Sequence, residues 1–139
     1  MTASRRHILV VDGDERERRD TSRVLGEAGY AVDTAASKAD VVSLLSQHHY
    51  DLVLIDLKMR ELNGPAFYQM LKERCRATTT PPVIFRLERG YTPEYANFLM
   101  RLAAPVLMKP VPATELCLAV ERQLPPSPAA PQAAPSLAS

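Results

Sequence analysis

At 139 residues the chain has room for one ordinary domain. Apolar residues make up 46% and charged residues 24%, and 17 Lys and Arg against 16 Asp and Glu leave a formal charge of +1, which removes the electrostatic case for a dedicated nucleic-acid binder. Cys75 and Cys117 form neither a disulfide framework nor a metal-ligand spacing, no signal-peptide core opens the chain, and the longest apolar runs are strand-sized. A small domain with reduced thiols, cytoplasmic and outside the bilayer, is expected.

In chain order, His7-Ile-Leu-Val-Val-Asp12 is a short apolar run rich in β-branched residues and predicts a strand. Residues 15–28 predict a helix, with Glu15 and Arg19 at i,i+4, Val24, Leu25 and Ala28 for a buried face, and Gly29 as the stop. Ala31–Thr34 is a more polar strand. Ser37 then caps a helix over 38–48 that buries Val41, Leu44 and Leu45, with Asp40 three positions on. Asp51-Leu-Val-Leu-Ile-Asp56 repeats the first strand pattern. Pro65 opens a helix over 65–74 that buries Phe67, Met70 and Leu71. Pro82–Phe85 predicts the fourth strand. Residues 93–103 place Tyr95, Phe98, Leu99 and Leu102 at helical spacing, Pro105–Met108 predicts the fifth strand, and 113–123 a last helix burying Leu116, Val120 and Leu124. From Pro125 to Ser139 the chain is almost entirely Pro, Ala and Ser. Such a composition predicts a disordered tail, read as inert, as a docking segment or as the stump of a linker.

Strand and helix thus alternate five times over residues 1–124. That order predicts a single doubly wound α/β domain, a parallel sheet with helices on both faces. In such sheets ligands bind beyond the carboxyl ends of the strands, where this chain places Asp12-Gly13-Asp14, Asp56, Arg86-Leu87-Glu88 and Lys109-Pro110. If strands 1, 3 and 5 converge there, two carboxylates face one ammonium. A carboxylate can attack a phosphoryl group to give a mixed anhydride, provided cations neutralise the phosphoryl oxygens. Asp56 would be the nucleophile and Lys109 the partner of a phosphoryl oxygen. Mg2+ would sit on Asp12 and Asp56, with the Lys58 carbonyl as a further ligand.

The ILVVD strand, the DLVLIDLKM strand with Gly64 eight residues after Asp56, the PVI strand and the closing Lys109-Pro110 resemble a response-regulator receiver domain. Each motif alone is unspecific, but four in order within a five-fold β-α pattern are specific. The resemblance covers residues 7–124. It implies a flavodoxin-like (βα)5 fold of strand order 2-1-3-4-5, Mg2+-dependent transfer of phosphate from a histidine kinase or phosphotransfer protein to Asp56, and a cis bond before Pro110. It also shows departures. Where the family has a second acid after strand 1, this chain has Gly13, with Asp14 one residue further along as a substitute ligand. Leu87 stands where a switch hydroxyl is usual, Val106 where a switch aromatic is usual, and Arg60 where a proline is usual. The expectation is a degenerate receiver with an impaired Mg2+ site and a non-standard switch. The alternative is a pseudo-receiver that never carries phosphate and acts as a constitutive interaction module. A nucleotide-binding enzyme is disfavoured because no Gly-rich phosphate loop follows strand 1.

Plainer readings stand beside these. Asp12 could cap the first helix, and Lys109 could pair permanently with Asp56. Arg60, Arg86 and Arg89 read either as an anion-binding rim or, in preference, as solvated charge, the charges of residues 15–23 as a salt-bridged helix surface, and His7, His48 and His49 as belonging to no catalytic or metal pattern. With no DNA-binding segment after the receiver, output is expected through a downstream effector protein. A homodimer through the fourth helix, fifth strand and fifth helix is also open.

Overall fold

The computed structural model describes residues 5–57, 64–74, 80–87, 97, 100–101 and 105–124. Among the described residues the elements follow in the order β1 (His7–Val11), α1 (Glu15–Glu27), β2 (Ala31–Ala35), α2 (Lys38–Gln47), β3 (Leu52–Asp56), α3 (Gly64–Arg74), β4 (Val83–Leu87), β5 (Val106–Met108) and α4 (Ala113–Gln123). Asn97, Met100 and Arg101 of the helix predicted over 93–103 are helical and exposed. The rest of that helix, Lys58, Arg60, Arg89, Cys75 and the 125–139 tail lie outside the described residues.

All strand pairs are parallel and the order is β2-β1-β3-β4-β5, as expected of a doubly wound sheet. The central strand β3 is buried along its whole length, because a strand covered on both faces needs apolar residues at odd and even positions alike. Those positions feed two separate cores. Leu9, Val11, Val53, Ile55, Phe85 and Leu87 face α2 and α3, where Val41, Phe67 and Leu71 meet them. Ile8, Val10, Leu52, Leu54, Ile84 and Leu107 face α1 and α4, against Leu25, Leu116 and Val120. Each fully buried aliphatic or aromatic side chain contributes about 1.5–3 kcal/mol of transfer free energy.

Local signals end the helices as the residues demand. Ser37 Oγ accepts from the Asp40 amide at 3.2 Å and so caps α2. Gly29 takes a positive φ of 103° after α1, a conformation a Cβ would strain. Two expectations are corrected. Ala28 is exposed rather than part of the buried face, since the α1 stripe closes at Leu25. Asp12 does not cap α1; Asp14 does, its carboxylate accepting from the Glu17 amide at 3.0 Å.

Candidate functional site

The side-chain period of two along a strand carries the site. Val10, Leu54, Ile84 and Leu107 all face α1 and α4, so the residues two further on, Asp12, Asp56, Arg86 and Lys109, emerge on that same face at the carboxyl rim. Backbone bonds hold the rim in place. The Asp12 amide donates to the Ala35 carbonyl at 3.1 Å, the Leu57 amide to Arg86 at 3.0 Å and the Lys109 amide to Leu87 at 2.9 Å. The peptide bond between Lys109 and Pro110 is cis.

The two acids and the amine meet. Lys109 Nζ lies 2.6 Å from Asp56 Oδ2, 3.8 Å from Asp12 Oδ2, and also donates to Glu17 Oε1. Asp12 is wholly buried and Asp56 is 6% exposed. Burial lifts the Asp12 carboxyl to about 6, against the opposing pull of the Asp14 amide, Lys109 and Arg86. Burial alone would lower Lys109, but its bonds to Asp56 and Glu17 and the charges of Asp56 and Asp12 outweigh that and hold it above the usual range. Asp14 is held below its ordinary value, first by the Glu17 amide. Its carboxylate serves the helix terminus.

Two residues whose part in the site the sequence did not predict complete the pocket. Arg86, expected to be solvated, is 5% exposed. Its Nη2 donates to Asp12 Oδ2 at 2.6 Å and its Nη1 to Thr21 Oγ1 at 2.7 Å. Glu17, read as helix-surface charge, reaches in from the first turn of α1. Asp12, Glu17 and Asp56 can bring one carboxylate oxygen each within 4.8 Å of one another. Hard oxygen donors in that number suit a divalent ion in kind, although two cations already hold them. A cleft of about 240 Å3 runs past Glu17, Thr21, Arg86 and Lys109.

The other singled-out positions lie apart. Leu87 is 1% exposed and packs on the opposite face with Phe85 and Leu57, where its side chain offers no donor. Val106, half-buried, packs against the same cluster. His7, read as belonging to no catalytic or metal pattern, pairs its Nε2 with Asp33 Oδ2 at 2.9 Å near the opposite rim.

Residues 8–121 match the family described as the response regulator receiver domain. The chain is 32% identical over 124 residues to the regulatory protein AtoC of Escherichia coli K12, an alignment covering 89% of this chain and 26% of AtoC; it thus spans about a quarter of that relative's length. Among solved structures, a response regulator receiver domain protein of Clostridium thermocellum is 26% identical at a TM-score of 0.73, covering 85% of this chain and 93% of that one. The Vibrio cholerae chemotaxis protein CheY4, 24% identical, shares the fold at a TM-score of 0.76 over 87% of this chain and 100% of its own.

Proposed function

This chain belongs to the response-regulator receiver family, and from that premise we propose that it accepts a phosphoryl group on Asp56 from a histidine kinase or phosphotransfer protein. Receiver domains are signalling modules rather than enzymes in the usual sense, and the proposed role is that of a phosphoacceptor. The observation that carries the proposal is the ion pair between Lys109 Nζ and Asp56 Oδ2 at 2.6 Å, beside buried Asp12 at the carboxyl rim.

A carboxylate oxygen of Asp56 attacks the phosphorus of a donor phosphohistidine. The new O–P bond forms as the N–P bond breaks, and the electron pair leaves with the imidazole, which takes up a proton from solvent. Lys109 moves its charge onto a phosphoryl oxygen, where an ammonium in a water-poor pocket stabilises developing negative charge. Asp12, Asp56 and the Lys58 carbonyl would hold Mg2+, with Glu17 supplying the carboxylate that Gly13 does not. The ion, when bound, neutralises phosphoryl oxygens. Affinity for it is proposed to be weak, because all three acids of that set already hold a cation.

Readout is proposed to bypass the usual switch. Leu87 is locked in the core beneath α2 and α3, and a β-branched Val106 has little χ1 freedom. The modified domain would signal through protein contacts with a downstream effector or a second copy. Exposed Met108 on β5 and Leu118 on α4 support such a contact face.

Amide chemical shifts recorded with beryllofluoride and Mg2+ test the reading. Shifts are expected at Asp12, Asp56 and Lys109, with small ones at Leu87 and Val106. An unmoved Asp56 amide would instead favour a constitutive interaction module that carries no phosphate.

A further inference from the structure

β4 places a guanidinium among the acids of the rim. Ile84 packs beneath α1 and α4, so Arg86 enters the same space, and β3–β4 pairing sets it directly beside Asp56. Its Nη2 lies 2.6 Å from Asp12 Oδ2. The other oxygen, Asp12 Oδ1, accepts from the Asp14 amide at 2.9 Å. Both oxygens of the buried acid thus already have donors. Thr21 fixes the far side of the guanidinium through Nη1 at 2.7 Å, and Nε makes no hydrogen bond among the described residues. A buried arginine is expensive to place without compensation, and here the compensation is Asp12, the acid proposed above to hold Mg2+.

We infer that Arg86 is a resident cation standing at Asp12 in place of a divalent metal. Three acids, Asp12, Glu17 and Asp56, are balanced by Arg86 and Lys109 to a single negative charge. A divalent ion entering that set must share Asp12 with a guanidinium or displace it, and the like-charge repulsion between two cations on one carboxylate opposes its entry. Weak Mg2+ binding then comes from a group that is present, Arg86, and not only from the acid that Gly13 lacks. The inference rests on the Asp56 acceptor reading for its signalling consequence, while the cation exchange at Asp12 is measurable without any phosphodonor.

The test is calorimetric titration of Mg2+ into the full chain and into Arg86→Val and Arg86→Lys, with no phosphodonor present. Valine suits a central strand and frees Asp12; its affinity for Mg2+ is expected to rise about tenfold or more. Lysine keeps a cation there and should stay near the unmodified chain. If Arg86→Val folds only with Mg2+ added, the exchange of one cation for the other is seen directly. Failure to fold with the metal as well, or folding with unchanged affinity, overturns the inference. In the unmodified chain, Mg2+ saturation should shift the Arg86 side-chain NMR signals with the same midpoint as the Asp12 amide, and unmoved Arg86 signals would overturn it too. Failure of Asp56 to take phosphate would remove the acceptor reading and leave the titration result intact.

Discussion

The two ends of the parallel sheet use similar residue types for opposite purposes. At the carboxyl rim, Asp12, Asp56, Arg86, Lys109 and Glu17 converge as full charges in a buried pocket. Near the amino rim, Asp33 accepts from the Tyr50 hydroxyl at 2.6 Å and pairs with His7 at 2.9 Å, while Asp51 Oδ2 accepts from the His7 amide at 2.8 Å. Tyr50 is buried and its ring packs 4.6 Å from that of His7. There each acid is satisfied by a neutral donor or a titratable ring, and the arrangement closes the edge of the core. At the other rim the acids are held by full cations, Arg86 on Asp12 and Lys109 on Asp56 and Glu17. The contrast identifies chemistry by what the acids are paired with, not by how many acids there are.

That contrast can be broken from either end. The largest effect is expected for Asp56→Asn, which should abolish labelling by acetyl phosphate while leaving the far-UV circular dichroism unchanged. Lys109→Ala should slow labelling by about 100–1,000-fold, the usual loss when one stabilising charge or donor is removed from such a pocket; a rate within threefold of the unmodified chain (roughly 0.7 kcal/mol by the rate relation) would show that Lys109 only holds Asp56 at rest. Tyr50→Phe, at the other rim, should cost about 1 kcal/mol in urea unfolding through the lost bond to Asp33 and leave labelling alone.

The smallest effect is a pH dependence. Burial, and then the bond to Asp33, push the Tyr50 phenol well above its ordinary value of 10.0. Below that pH the phenol is protonated in the folded and unfolded states alike, and its contribution to the fold is complete. As pH rises beyond it, the unfolded chain releases a proton that the folded chain retains, so stability falls. Tyr50→Phe should flatten the decline in urea midpoint above pH 10.0. Some slope should remain, because Tyr30 is also raised, chiefly by burial.

Much of the fold was legible because the signals are local. The apolar run of β3 from Leu52 to Ile55, the Ser37 cap and the Gly29 stop each announce themselves within a few residues. The pairing of Asp56 with Lys109 followed from where the strands end. Arg86 and Glu17 were missed for a physical reason. Their partners lie 74 and 92 residues away, and local charge patterns carry no trace of such contacts. A signal for Arg86 did exist. Counting two residues on from Ile84, as from Leu54 to Asp56, puts it in the pocket, whereas composition alone makes it one more surface arginine. Asp33 and His7 were hidden in the same way, on neighbouring strands.

The alternation that puts Arg86 inside also makes the pocket sensitive to length. Deleting one residue from the start of β4 would slide the strand by a single position against β3. Leu87 would then stand beside Asp56, and Arg86 would be driven into the aliphatic layer formed by Phe67 and Leu71. Such an indel would strip the pocket of a positive charge without altering any charged residue. The electrostatic character of this domain is therefore written partly in residue count, and chain-length variants at Pro82 would change it as surely as substitutions at the rim.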